Sequence, residues 1–280
     1  MNRMNSLVCF QEGSFLPIDV SGLNLNDLGI QRGYGIFDFL RTTGNKAFFI
    51  DDHLDRFFYS SEKMRLPIDY KRDEIKSIVY ALMDKNQLPF SGIRIVLTGG
   101  ASSDGYTITL PRLAVIQQIM DRLPDEISSK GLHLITRAFQ RQLSDVKTTD
   151  YLMAIWLQPW MKELNGDDLL YYNESSVTEC PRSNIFMVTK DNILVTPKEG
   201  MLKGITRKNI IKIAETLGLS SEERDISLEE LHQAKEVFIS SSTKRLVPVA
   251  MIDNKYQFDV STNIITRKIW DAFLALEYSI

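Results

Sequence analysis

"MLKGITRKNII", Met201 to Ile211, sets a glycine and a threonine in front of an apolar-periodic run. Extended to Gly218, the run predicts a helix. Ile210, Ile211, Ala214 and Leu217 form its apolar stripe, Thr206 stands at its start and Gly218 ends it. The free N–H groups of a helix start attract phosphate, because the helix dipole lies behind them. The Thr206 hydroxyl would add a bond, and Gly204 would let a backbone come close. The same residues also describe an ordinary helix opened by a threonine cap after a loop glycine. Both readings stand on this stretch alone.

Three more stretches are ambiguous in the same way. "VFISSSTKRLVPV", Val237 to Val249, is a strand ending in hydroxyls, Ser242 and Thr243 among them. Such a turn either holds an anion with its amides and hydroxyls or is simply polar. "SSVTECPRSNIFMV", Ser175 to Val188, sets Glu179 between strand-like segments, as a turn residue or as the partner of a buried cation. "SDVKTTDYLMAI", Ser144 to Ile155, holds Lys147 ahead of an apolar run. A lysine is ordinarily a solvated charge. Buried, its ammonium is costly, its pKa falls, and it becomes an amine nucleophile for carbonyls.

The rest of the chain predicts mixed α/β (or α+β) organisation in two lobes. "IFDFLRT" and "KAFFI" read as strands about the turn "TGN". "DDHLDRFFYSSEKMRL" reads as a helix with Leu54, Phe57, Phe58 and Ser61 on one face, Asp51 as cap and Pro67 as stop. "RDEIKSIVYALMDKN" reads as a second, burying Ile75, Ile78, Val79 and Leu82. "GIRIVLTGG" and "RLAVIQQI" read as strands joined through "GGASSDG". The polar segment 121–131 is the boundary candidate, between an N-terminal domain over 1–120 and a C-terminal domain over 132–280 that carries Lys147. Past it "LHLITRAF" reads as a strand and "YLMAIWLQPWMKEL" as a helix despite Pro159. "YYNESSVTE", "SNIFMVTK" and "NILVTP" read as a hairpin-rich sheet. "SLEELHQAK", "EVFISSS" and "TRKIWDAFLALEYS" read as helix, strand and closing helix.

Composition narrows the function. The 280 residues are 44% hydrophobic and 25% charged, as in a soluble globular protein with one or two domains. A net charge of -3 argues against a nucleic-acid binder. Cys9 and Cys180 form no pair, and no cysteine or histidine spacing suggests a metal site. No run approaches the length of a membrane span, and the opening residues lack the apolar core of a signal peptide. The expected setting is the cytoplasm, with reduced thiols.

Together, "VKTTDYL", "VTECPRSNIF", "LVTPKEGMLKGITR" and "VFISSSTKRLVPV" resemble the class IV aminotransferase family. "NDLGIQRGYGIFDFLRT" and "HLDRFFYSS" resemble that family's opening segments, so the likeness runs from about Asn26 to Asp253. The family comprises fold-type IV enzymes that use pyridoxal 5'-phosphate (PLP): branched-chain and D-amino acid aminotransferases and aminodeoxychorismate lyases. The resemblance implies a D-amino acid aminotransferase-like fold of two lobes with PLP between them. It implies a homodimer in which a loop of one subunit closes the other's site. The substrates it implies are a small amino acid, branched-chain-like, and a 2-keto acid. The alternative is a lyase that releases pyruvate and 4-aminobenzoate from aminodeoxychorismate.

Residue roles follow from the same resemblance. Lys147 matches the lysine that forms a Schiff base with PLP, and Glu179 the carboxylate under the pyridine nitrogen. Arg56 matches the phosphate-binding arginine, and Gly204, Ile205, Thr206 and Ser242 the other phosphate contacts. Leu202 matches the residue packed on the ring face. Tyr151, allowing a one-residue gap, matches a tyrosine bonded to the ring oxygen. Tyr34 and "GGASSDG" match substrate-facing parts.

The chain also departs from the pattern. Gly99 stands at the loop arginine of D-amino acid enzymes, and Asp104 near the place where lyases carry theirs. Ser241, Ser242 and Thr243 replace a "GTA" block. Arg182 and Lys244 are unusual cations. Either one of them binds a substrate carboxylate in place of the loop arginine, or both face solvent or pair with acids.

Overall fold

The computed structural model describes residues 7–174 and 176–280; the first six residues and Ser175 of the "SSVTEC" stretch lie outside the described residues. The chain forms two compact units. One joins Met1–Arg122 with Val146–Asp150, and the other joins Leu123–Asp145 with Tyr151–Ile280.

The first unit runs β1 (Val8–Gln11), β2 (Ser14–Pro17), α1 (Leu28–Arg32), β3 (Gly35–Thr43), β4 (Lys46–Ala47), α2 (Ile50–Lys63), α3 (Arg72–Asn86), β5 (Phe90–Thr98) and β6 (Arg112–Ile119). The strands make one antiparallel sheet in the order β2-β1-β6-β5-β3-β4. The period-two alternation of β3 decides its two faces. Ile36 and Leu40 enter a core with Leu54 and Phe57 of α2, Ile75, Val79 and Leu82 of α3, and Ile93 and Ile95 of β5. Phe37 and Phe39 take the other face, where the Arg94 guanidinium lies 4.8 and 5.6 Å from their ring centroids.

Local chemistry departs from expectation in three places here. α2 opens on Phe49, in a left-handed conformation and without a side-chain cap; Asp51 sits in the first helical turn instead. The helix ends at Lys63, ahead of Pro67. "KAFFI" contributes only Lys46–Ala47 as strand, because Ile50 already begins α2.

The second unit runs β7 (Leu132–Ala138), α4 (Leu152–Trp156), α5 (Gln158–Glu163), β8 (Asp168–Tyr172), β9 (Asn184–Val188), β10 (Leu194–Thr196), α6 (Ile205–Thr216), β11 (Ser221–Glu223), α7 (Leu228–His232), β12 (Glu236–Ser241), β13 (Arg245–Ile252), β14 (Tyr256–Gln257) and α8 (Ile264–Ser279). Its sheet order is β11-β10-β9-β12-β13-β7-β8, with β14 on β13. The β10–β11, β13–β7 and β7–β8 pairs are parallel, so the sheet is more than a set of hairpins. Parallel neighbours need a crossover, and α6 supplies the one between β10 and β11. Ile185, Met187, Val237 and Ile239 pack into one core, while Asn184, Phe186, Phe238 and Ser240 carry the opposite face.

Pro159 splits the expected single helix: α4 stops at Trp156, and α5 restarts with the proline in its first turn. The buried stripe of α6 includes Ile210, Ile213 and Ala214, whereas Leu217 is exposed. β8 ends at Tyr172, short of the expected "YYNESSVTE" strand. Lys147, expected within a C-terminal domain, groups with the first unit. The Phe37 amide donates to the Lys147 carbonyl (3.0 Å), Thr149 donates to the Gly35 carbonyl (2.9 Å), and Ile36 bridges Thr148. The lysine segment therefore acts as a short edge partner of β3.

The start of α8 is capped from a strand. The carboxylate of Glu236, fully buried, accepts from the amides of Ile265 (3.0 Å) and Thr266 (2.8 Å) and from the Thr266 hydroxyl (2.7 Å). Glu236→Ala would leave these donors buried without an acceptor, at about 1–3 kcal/mol for each unsatisfied group. Urea unfolding should show a loss of at least about 2 kcal/mol with an unchanged slope. A loss below about 0.5 kcal/mol, the size of a neutral surface substitution, would show that the cap does not anchor α8.

Candidate active site

In the first unit, Lys147 is half-buried, and its Nζ lies 4.6 Å from the centroid of the Phe37 ring. Its amide donates to the Ser60 hydroxyl of α2 (3.3 Å). Arg94 rests on the same aromatic ring, so Phe37 carries two cations. Tyr34 is half-buried, and its hydroxyl donates to the Met64 carbonyl at the end of α2 (2.6 Å).

Arg56 of α2 turns onto β3. Its Nε and Nη2 donate to the two oxygens of Asp38, both at 2.8 Å, in a forked pair. His53 Nδ1 meets the same carboxylate at 2.7 Å. Asp38 and His53 are both buried. Burial raises the Asp38 carboxyl, but the Arg56 and His53 contacts outweigh it and hold the group well below the usual carboxylate range. Burial pushes His53 down, and its Asp38 contact only partly offsets that. His53 is therefore neutral near pH 7.

The loop after β5 is ordered by Asp104. That carboxylate accepts from the Tyr106 and Thr107 amides (2.9 and 2.8 Å) and from the Ser102 and Thr107 hydroxyls, both at 2.7 Å. The Thr107 amide foremost, and then these hydroxyls, draw its pKa down. Asp104 thus shapes the loop.

In the second unit, Glu179 is 5% exposed. One carboxylate oxygen accepts from Arg141 Nε (2.7 Å), and the other from the Leu202 amide (3.0 Å). Arg141 also donates from Nη2 to the Ser144 carbonyl (2.5 Å), within the segment that leads to Lys147. Leu202 is half-buried, and its carbonyl accepts from Asn184 Nδ2 (2.7 Å). Asn184 is packed so closely against Gly204 that a Cβ there would collide with its amide oxygen. This close approach is why residue 204 is glycine.

Gly204 is the N-cap of α6 and brings no side-chain cap. Thr206 lies one residue inside the helix, so its side chain does not take the cap position. Ile205 and Thr206 are buried. Arg207 anchors the helix start to the end of β10, donating to the Thr196 hydroxyl (3.2 Å) and the Pro197 carbonyl (2.7 Å). Ser240 pairs with Asn184 across β12 and β9, on the face that carries Asn184, and its buried hydroxyl has no hydrogen-bond partner among the described residues. Ser242 is half-buried in the following turn, where Thr243 is exposed and its hydroxyl meets Ser241 at 3.3 Å. Tyr151 is half-buried at the N-cap of α4.

The two unusual cations separate. Lys244 donates to the buried Asp168 carboxylate (2.9 Å), so it pairs with an acid. Arg182 is exposed. Asp38, His53, Arg94, Arg141, Asn184 and Asp168 escaped the sequence reading. "RAFQRQLSDVK" contains Arg141, but only the fold reveals that this arginine meets Glu179.

The second unit's donor set suits a molecule with a basic ring nitrogen and a phosphate. A buried carboxylate is bonded to the segment that feeds an uncapped helix start, beside an orphaned serine hydroxyl. Within the first unit, by itself, a lysine amine is seated on an aromatic ring and an arginine is fixed by a buried acid.

Known proteins resemble this chain over most of its length. A D-alanine aminotransferase of Staphylococcus epidermidis is 28% identical over 271 residues, covering 94% of this chain and 95% of that one. The branched-chain amino acid aminotransferase of Escherichia coli superposes with a TM-score of 0.88 at 21% identity, over 97% of this chain and 94% of that one. A protein of Legionella pneumophila assigned as a 4-amino-4-deoxychorismate lyase superposes at 0.81 with 27% identity, over 91% of this chain and 95% of that one. The family model for amino-transferase class IV matches residues 35–252, and this chain belongs to that family.

Proposed function

We propose that this class IV aminotransferase binds PLP and uses Lys147 to move an amino group between an amino acid and a 2-keto acid. The observation that carries the reading is the bond from the Leu202 amide to buried Glu179. It couples an acid suited to a pyridine nitrogen with a helix start suited to a phosphate.

In this reading Glu179 would accept a hydrogen bond from the protonated ring nitrogen, with Arg141 and the Leu202 amide fixing the carboxylate. Gly204, Ile205, Thr206 and Ser242 would hold the phosphate from α6 and the serine-rich turn, and Arg56, whose Nε and Nη2 bond Asp38, would add its guanidinium charge. Leu202 would pack on the ring, and Tyr151 would bond the ring oxygen. Bound there, the cofactor supplies an electron sink for the carbanion at the substrate Cα. Lys147 would hold the cofactor through its Nζ, and that amine, set free when the substrate's amine takes its place, would carry the proton to and from the substrate Cα. Phe37 places its ring centroid 4.6 Å from that amine.

The substrate carboxylate needs a cation. Lys244 is engaged by Asp168, and Gly99 stands where the loop arginine would be. Arg94, whose guanidinium lies 4.8 Å from the centroid of the Phe37 ring that Lys147 Nζ also approaches, takes that role, and Tyr34 and the loop ordered by Asp104 are the other substrate-facing parts of this reading. The lyase reading draws on the Legionella neighbour and needs no keto-acid acceptor.

A homodimer is the proposed assembly and the cytoplasm the proposed setting. No helix of the described residues is long and apolar enough to cross a membrane. α4 leaves Leu152, Ile155 and Trp156 exposed at 72%, 63% and 65%, a three-four-spaced apolar stripe suited to a second copy.

Lys147→Ala should abolish turnover and the visible absorbance of lysine-bound cofactor while leaving the far-UV circular dichroism intact; retained steady-state activity would sink the reading. A donor panel of both enantiomers with 2-oxoglutarate and pyruvate should show branched-chain-type donors passing their nitrogen to the acceptor. Pyruvate and 4-aminobenzoate from aminodeoxychorismate without any acceptor would establish the lyase instead. Arg94→Leu should raise the KM for the keto acid by about tenfold or more, given 1.5–3 kcal/mol for a hydrogen bond to a charged group, and an unchanged KM removes Arg94 from the site. Light scattering should give twice the mass of one chain, falling to one chain in Trp156→Glu.

A further inference from the structure

We propose that Asp38 is a positioning residue for phosphate recognition, fixing the plane of the Arg56 guanidinium while His53 braces the same carboxylate. The inference rests on the reading of Arg56 as a phosphate ligand.

Asp38 sits in the middle of β3 on the face that packs against α2, between Ile36 and Leu40 of the apolar core. An apolar side chain would join strand to helix there without removing a charge from water, and replacing buried ion pairs by packed hydrophobic residues is often neutral or stabilising. Packing alone therefore does not explain the acid. What the acid provides is geometry. Two parallel N–H···O bonds fix both the plane of the guanidinium and its rotation about the side chain. His53 Nδ1 holds the oxygen that Arg56 Nη2 also uses, so the carboxylate itself cannot swing. An arginine already fixed loses little side-chain freedom when an anion arrives.

Charge and geometry make opposite predictions. With His53 neutral, the Asp38–Arg56 pair sums to zero. If Arg56 acted only as a cation, removing the Asp38 charge would strengthen its pull on a phosphate. If Asp38 orients Arg56, the same change weakens phosphate binding.

The test uses the full chain stripped of cofactor and titrated with pyridoxal 5'-phosphate and with pyridoxal. Both probes react with Lys147, so the ratio of their dissociation constants isolates the phosphate. Asp38→Asn should reduce the preference for the phosphorylated probe by about tenfold, and the same substitution in an Arg56→Gln background should reduce it no further. An unchanged or increased preference in Asp38→Asn overturns the proposal, as does an equal loss with and without Arg56. If Arg56→Gln alone leaves the ratio unchanged, the reading of Arg56 fails and the proposal falls with it, a result distinct from failure at Asp38 alone. Should Asp38→Asn not fold, Asp38→Glu reads the same quantity. It keeps the charge but shifts the carboxyl by one methylene, and an undiminished ratio there also overturns the proposal.

Discussion

A carboxylate taken out of water must be met by donors, and much of this structure is arranged around that demand. Asp27, Asp38, Asp168, Glu179, Glu236 and Glu277 are all buried. Asp27 caps α1 and accepts from Thr98, and Glu236 caps α8. Glu277 holds Arg245 (2.7 Å), which reaches the Pro124 carbonyl (2.5 Å) and so ties α8 and β13 to the segment after the first unit. Asp38 and Glu179 take arginines in the same manner, but next to residues of the candidate site. The same solution that secures a helix elsewhere in the molecule fixes an arginine or a carboxylate at the candidate site.

Glu179 shows how tightly support and function are joined. Arg141 satisfies one oxygen and the Leu202 amide the other, so the acid orients the backbone that enters α6. Asn184 draws in the Leu202 carbonyl and leaves Gly204 no room for a side chain. Arg207 pins the helix start from beneath. An anion arriving at α6 meets amides that are already oriented, which lowers the ordering cost of binding.

Periodic segments were readable in the sequence. α3 spans "RDEIKSIVYALMDKN" and buries Ile75, Ile78, Val79 and Leu82, because a 3.6-residue period leaves little alternative. Elements governed by a few local atoms were not. Phe49 opens α2 without a cap because tertiary packing of Ile50 and Leu54 overrides the pull of Asp51, and Pro159 restarts a helix that the apolar pattern ran together. The residues that carry the proposed chemistry could be named because their motifs are contiguous. Their supports could not. Asp38 and Arg56 are 18 residues apart, and Arg141 and Glu179 are 38 apart, so no window along the chain shows that they meet. Lys244 carried no sign in sequence of being spoken for by Asp168, 76 residues away.

The short return of Val146–Asp150 to the first unit has a consequence for synthesis. As the chain leaves the ribosome, the first 122 residues can assemble the antiparallel sheet, but the Gly35–Phe37 end of β3 still lacks the partner that Lys147 and Thr149 supply. An unpaired edge is a template for another chain. Until residue 150 emerges, that stretch stays open to pairing. The segment that carries the amine is therefore also the one whose arrival covers that end of β3.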